Sequence, residues 1–200
     1  MNQERKNLNL KNGTTPLGEV IWADLTVPDK KFNQDGEYKV IFRVSADKAQ
    51  PLISEIEEII KTEIGLNKKT DKISSYSVYH EELNKDGSST GNIVFKFKSD
   101  ASGRTPDGRD WTRSIPIFDK AGFQVVDPGL LIGAGSKLIV SYDFVGYTSP
   151  IIGIGCKARL LAVQLIKHVP PKGRKTAKDF GFNVQEYDDS DYVFEETNLN

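Results

Sequence analysis

Apolar residues along most of this chain recur at every second position, the spacing of half-buried β-strands, and one stretch alone shifts to a helical period. Residues 17–25 and 37–45 read as two strands that pair as a hairpin around a loop at 28–36. In the second of them Tyr38, Val40, Phe42 and Val44 share one face and Lys39, Ile41 and Arg43 the other, so one side is core and the other basic. Asp47 with Gln50 resembles a capping box, and Leu52, Ile53, Ile56, Ile59, Ile60 and Ile64 keep helical spacing up to Gly65. That isoleucine stripe packs on a sheet, leaving Glu55, Glu57, Glu58 and Glu63 on a solvated face. A polar loop at 67–75 follows.

From Tyr76 the pattern is strand and turn. Residues 76–83 and 92–98 flank an Asp86-Gly87 turn, with Ile93, Phe95 and Phe97 inward and Val94, Lys96 and Lys98 outward. A loop at 102–113 leads to short strands at 114–118 and 123–126. The longest hairpin closes the pattern, with arms at 136–147 and 152–167, and in its last arm Lys157 and Arg159 oppose Cys156, Ala158 and Leu160. About eight strands, one helix inserted early and no internal repeat predict an all-β domain, a small closed or nearly closed antiparallel barrel.

The two ends do not follow this pattern. Residues 1–13 are polar and Asn-rich and are expected to be disordered, with structure beginning near Pro16. The domain then covers residues 14–168. Lys167, Lys172, Arg174, Lys175 and Lys178 mark a basic linker at 169–185, broken by Pro170, Pro171 and Gly173. The final residues, 186–200, carry Glu186, Asp188, Asp189, Asp191, Glu195 and Glu196 without a base, interleaved with Tyr187, Tyr192, Phe194 and Leu199. Runs of this composition bury too little apolar surface to offset their chain entropy.

The tail alters the charge reading. The whole chain carries 27 Lys plus Arg and 28 Asp plus Glu, a formal net charge of -1. Six of those acids lie at or after Glu186 and no base does, so the preceding residues hold 27 cations against 22 anions, a net +5. A basic body is joined to an acidic appendage, which can compete for the polyanion that the body binds. The single cysteine, Cys156, reads as a small buried hydrophobe and excludes a disulfide framework. No run approaches the roughly 20 apolar residues of a membrane helix, and the polar N-terminus lacks a signal core, so a soluble cytoplasmic protein without a membrane partner is expected.

Signatures of catalytic chemistry are scarce in the chain. The sequence has no P-loop, dinucleotide fingerprint or nucleophile elbow, and Gly153 and Gly155 fall in a strand pattern. His80, Glu81 and Glu82 with Asp86 and Asp100 are a conceivable divalent-cation set, but adjacent acids on a strand point to opposite faces. No enzyme, metal or cofactor is therefore expected. What remains is a set of cations on strand exteriors and one loop, Lys39, Arg43, Lys96, Lys98, Arg104, Arg109, Arg113, Lys157 and Arg159, with Trp22, Trp111 and Tyr147 among them. Single-strand binders combine a basic groove that follows phosphates with aromatic faces on which bases stack. Trp22, on the strand that opens the fold, is as much a core candidate as a stacking one. Trp111, flanked by Arg109 and Arg113 after a flexible loop, is the better stacking candidate.

The runs 18–25 (GEVIWADL), 31–40 (KFNQDGEYKV) and 155–166 (GCKARLLAVQLI) resemble those of the single-stranded-DNA-binding proteins of tailed bacteriophages, and the likeness covers most of residues 16–196. The resemblance implies an OB-fold that coats single-stranded DNA during phage replication, recombination and repair in the cytoplasm of the infected bacterium. It also implies that the acidic tail contacts DNA polymerase and primase-helicase and competes with DNA for the basic cleft. Because the chain ends Asn198-Leu199-Asn200, Phe194 is the candidate docking residue of that tail. A homodimer is compatible with the sequence. Two other readings stay open: a protein-protein adaptor with the same fold, and a metal-dependent nuclease using Glu81, Glu82 or Asp100.

Overall fold

In the computed structural model, residues 9–66, 72–171, Gly173 and Gly181 are described. Ten strands and one helix follow in the order β1 Leu10–Thr14, β2 Gly18–Asp29, β3 Glu37–Ser45, α1 Ala46–Leu66, β4 Tyr79–Leu83, β5 Ser89–Asp100, β6 Ser102–Arg104, β7 Asp110–Thr112, β8 Ile117–Phe118, β9 Lys137–Ser149 and β10 Gly153–Lys167. Strands β9, β2, β3, β5 and β10 are neighbours in that order, and β9 pairs again with β10, which closes a five-stranded barrel. The fold is thus the expected all-β OB-fold with one inserted helix. Its ladders are antiparallel except where β10 runs parallel to β5 and to β8. That is the geometry produced when the last strand of a Greek-key barrel returns beside its third. Strands β1 and β4 extend the sheet from β9 and β5.

The barrel interior is filled by the alternating apolar positions. Val40, Phe42, Phe95, Phe97, Leu138, Val140, Phe144 and Leu160 are fully buried. The ring of Phe97 lies 5.6 to 5.8 Å from those of Phe42, Tyr142 and Phe144. Aromatic pairs at these separations add to the area term, and truncating such a ring costs about 3–5 kcal/mol. Helix α1 lies across one end, with Ala49, Leu52, Ile56 and Ile59 buried as its spacing predicts. It is also tied down by polar contacts: the Tyr142 hydroxyl donates to Glu55 at 2.8 Å, and the Thr148 hydroxyl donates to Glu63 at 3.1 Å. Cys156 is buried, and desolvation pushes its thiol up to about 12, which leaves it chemically quiet.

Several expectations are corrected. Leu10–Thr14 is a strand paired with β9 from Leu10 opposite Val145 to Thr14 opposite Ser141, so order begins before Pro16. Polar Lys11, Asn12 and Gly13 conceal it, because an outer strand on one edge needs no apolar alternation. The stretch 102–113 is a hairpin of β6 and β7 rather than a loop. The strand predicted at 114–118 shrinks to Ile117–Phe118, and 123–126 forms only a bridge between Phe118 and Gln124. Helix α1 begins at Ala46, one residue before Asp47. The domain contacts also pass His168, since Gly133 donates its backbone N–H to the Val169 carbonyl at 2.8 Å. Residues 1–8 and the acidic tail residues Glu186, Asp188, Asp189, Asp191, Phe194, Glu195 and Glu196 lie outside the described residues.

Candidate nucleic-acid interface

The outer face of the barrel is built on the strands whose alternation buries the core. Once Tyr38, Val40 and Phe42 point inward, Lys39, Ile41 and Arg43 must point outward. Strand register then decides what stands beside them. Asp24 of β2 is opposite Lys39 of β3, Lys39 is opposite Lys98 of β5, Lys98 is opposite Arg159 of β10, and Arg159 is opposite Asp143 of β9. The result is one transverse row, three cations wide, with an aspartate at each end. Lys96 projects from the same face of β5 and is exposed. Burial of its stem and the nearby charges of Lys98 and Lys39 hold its ammonium below the ordinary lysine value, so an anion placed there relieves a local excess of positive charge.

Most of these cations already have a carboxylate. The Lys39 ammonium lies 2.5 Å from Asp29 and 3.1 Å from Asp24, and the hydrogen bond to Asp29 raises its pKa while lowering that of Asp29. Lys98 pairs with Glu37 at 2.7 Å and Arg159 with Asp143 at 3.5 Å. Arg43 bridges Glu19 at 2.5 Å and Glu82 at 2.8 Å, and Glu19 also holds Lys137 at 2.6 Å. This last network borders a shallow cleft of about 570 Å³ that includes Leu17, Lys48, Thr90 and Asn92. Of the candidate cations, Lys96, Arg113 and Lys157 have no carboxylate oxygen within 4 Å among the described residues; Arg113 donates to the Ser99 hydroxyl at 2.6 Å. The face is therefore a cationic track threaded with acids rather than a uniformly basic groove.

Three aromatic candidates fall into two kinds. Trp111 stands opposite Gly103 and Tyr147 opposite Gly155, and a Cβ on either glycine would lie 2.8 Å from the indole or 2.5 Å from the phenol. Each ring covers its glycine, and a cation two residues along one of the strands sits by it: Arg113 at 5.3 Å from the Trp111 ring, Lys157 at 5.6 Å from the Tyr147 ring. Both rings are half-buried. Trp22 differs. Register slips between Val20, opposite Phe42, and Trp22, opposite Ile41, so Ile21 is the extra residue of a β-bulge. Strict alternation from buried Val20 would send Trp22 into the core; the bulge reverses the phase and turns it outward, 57% exposed, on the face of Lys39.

The remaining loop cations are placed on the β6–β7 arm. Arg104 pairs with Asp110 and Arg109 with Asp107, both at 2.7 Å and both exposed. The sequence reading passed over Phe32, 90% exposed in the β2–β3 loop with the Lys31 ammonium 5.2 Å from its ring, although loops at this position of an OB-fold commonly touch ligands. It also missed the acids Asp24, Asp29, Glu37 and Asp143, whose roles depend on cross-strand register. His80, Glu81, Glu82, Asp86 and Asp100 do not assemble a cation site: no group of three such ligating side chains occurs among the described residues. Glu82 instead accepts from Arg43, Asn92 and Thr90. No helix among the described residues is long and apolar enough to cross a membrane.

Neither a protein-family model nor a curated protein matches the sequence. Solved structures do. The crystal structure of gp2.5, a single-stranded DNA binding protein encoded by bacteriophage T7, superposes with a TM-score of 0.65 at 24% identity, covering 83% of this chain and 97% of that one. The single-stranded DNA-binding protein of bacteriophage Enc34 gives 0.58 at 13% identity over 90% of this chain and 97% of its own. The same Enc34 protein in complex with single-stranded DNA gives 0.59 at 13% identity, over 86% and 97%. Over nearly the full length of those proteins, this chain has the fold of phage single-stranded-DNA-binding proteins.

Proposed function

We propose that the protein is a non-enzymatic, sequence-independent single-stranded-DNA-binding protein of a bacteriophage, acting in the cytoplasm of the infected cell during replication, recombination and repair. The observation that carries the reading is the row Lys39, Lys98 and Arg159, set across three strands beside the outward-turned Trp22 on a barrel of this fold. Cations of the row, with Lys96 and Lys157, neutralise phosphates; Trp22, Trp111 and Tyr147 are the stacking candidates, each stack being worth roughly 1–3 kcal/mol. Arg43, Arg104, Arg109 and Arg113 extend the phosphate path. The acidic segment from Glu186 recruits DNA polymerase and primase-helicase and competes with DNA for the track.

The test is a tryptophan-fluorescence titration of the full chain, and of a version ending at Gln185, with oligo-dT at several salt concentrations. Saturable quenching that weakens with salt, is not competed by duplex of equal length, and tightens without the tail is the expected result. A gel shift with no retained oligo-dT in either version overturns the reading and leaves a protein adaptor. Labelled strands cut in magnesium or manganese would instead mark a nuclease.

A further inference from the structure

Trp22 is tied to a carboxylate, whereas the Tyr147 hydroxyl donates to the Ser74 hydroxyl at 3.0 Å. The Trp22 indole N–H donates to Oδ2 of Asp24 at 2.8 Å, and that same oxygen lies 3.1 Å from the Lys39 ammonium. Both side chains reach the outer face because the bulge at Ile21 sets their phase, and Lys39 stands directly opposite Asp24. One carboxylate oxygen thus holds a stacking ring and a phosphate-seeking cation together. Asp29 supports Lys39 from its other side at 2.5 Å, so the ammonium keeps a partner when Asp24 is displaced.

Resting on the single-strand-binding reading, we propose that Asp24 is a positioning residue that couples base stacking on Trp22 to phosphate binding at Lys39. Its hydrogen bond fixes the plane of an exposed indole that has no glycine shelf. Its charge occupies the position on Lys39 that a phosphate takes. An incoming strand exchanges that charge for its own phosphate while the indole retains its acceptor, so binding at the cation and orientation of the ring occur in one event. The negative charge opposes binding, whereas the acceptor favours it. The two contributions can be separated, because asparagine keeps an acceptor oxygen and loses the charge, and alanine loses both.

The experiment uses the full chain carrying Trp111→Phe, so that Trp22 alone reports, and compares it with added Asp24→Asn or Asp24→Ala. Oligo-dT affinity, quenching amplitude and Trp22 anisotropy are measured at low and high salt. Asp24→Asn is expected to tighten binding about threefold or more at low salt, with the gain fading as salt screens the charge, and to keep the anisotropy of the parent. Asp24→Ala is expected to bind more weakly than Asp24→Asn by a similar factor, with smaller quenching and a more mobile indole. Replacing Trp22 by Phe removes the N–H and, with affinity read from the anisotropy of a labelled oligo-dT because no tryptophan remains, should make the two variants equivalent, a double-mutant cycle on the proposed contact. Identical behaviour of Asn and Ala with Trp22 present overturns the coupling, as does unchanged affinity in both while the parent binds. If the unsubstituted chain, with both tryptophans in place, fails to bind oligo-dT at all, the functional reading fails instead.

Discussion

The outer face of the barrel and the β6–β7 arm carry the same chemistry, cations beside a tryptophan, but they hold it in different ways. On the barrel most cations, Lys96 and Lys157 excepted, are fixed by acids from neighbouring strands, as in Lys98 with Glu37 or Arg43 with Glu19 and Glu82. On the arm Arg109 pairs with Asp107 two residues away and Arg104 with Asp110 across a tight hairpin. Barrel pairs are partly shielded and locked to the fold; arm pairs are exposed and add little to its stability. The barrel cations therefore have spacing set by strand register and face a resident competitor, while Arg104 and Arg109 are paired within their own hairpin. Specific geometry belongs to the first region and adaptable contact to the second.

Removing the cations of one region at a time gives the sharpest test. Lys39→Ala, Lys98→Ala and Arg159→Ala together are expected to lower oligo-dT affinity by on the order of 100-fold at low salt and to flatten the log-log salt slope by about 2, three phosphates at roughly 0.7 each. The loss is enlarged because Asp24, Asp29, Glu37 and Asp143 stay behind without their cations. The matching arm variant, Arg104→Ala, Arg109→Ala and Arg113→Ala, should cost about tenfold, since Arg104 and Arg109 lie on an exposed hairpin away from the row. Equal losses measured by fluorescence anisotropy would erase the distinction between the regions.

Acid stability separates them next. Lys137 and Arg43 hold the Glu19 carboxylate below its ordinary value, and Asn92, followed by Arg43, does the same for Glu82. A folded pKa depressed in this way gives stability that is complete above the ordinary value, 4.5, and is lost as pH falls through the depressed one. The melting temperature should therefore decline below about pH 4.5, and Glu19→Gln with Glu82→Gln should flatten that decline at the expense of stability at neutral pH. Asp107→Asn on the arm should leave the melting curve unchanged at neutral pH, a result that thermal scans across pH 3 to 7 would check.

The smallest effect concerns the arm alone. In Gly103→Val the new Cβ would approach the Trp111 ring to 2.8 Å, so the indole must tilt away. The expected outcome is a shifted Trp111 emission and a stability loss of about 1 kcal/mol, with Trp22 emission unaltered, measured in single-tryptophan versions.

Much of this was readable from residue order. Alternation in 37–45 placed Tyr38, Val40, Phe42 and Val44 inside and Lys39 and Arg43 outside, and Lys157 and Arg159 separated correctly from Cys156, Ala158 and Leu160. The fold class followed from strand count and a single helix. In contrast, Val94 is buried although its alternation pointed outward, flanked across the strands by Arg43 of β3 and His80 of β4. Strand β1 escaped notice because its polar residues pair through backbone groups, which carry no side-chain signal.

The sequence by itself determined which residues could face a core, that one helix interrupts a chain of strands, and that a net positive body precedes an acidic end. Those features depend on composition and on periods of two or 3.6 residues, which a linear reading captures. The tertiary structure alone decided that Lys39, Lys98 and Arg159 form one row, that carboxylates bracket it, and that a one-residue bulge at Ile21 turns Trp22 out of the core. Register between strands far apart in sequence is set by how the barrel closes, and no local pattern encodes it.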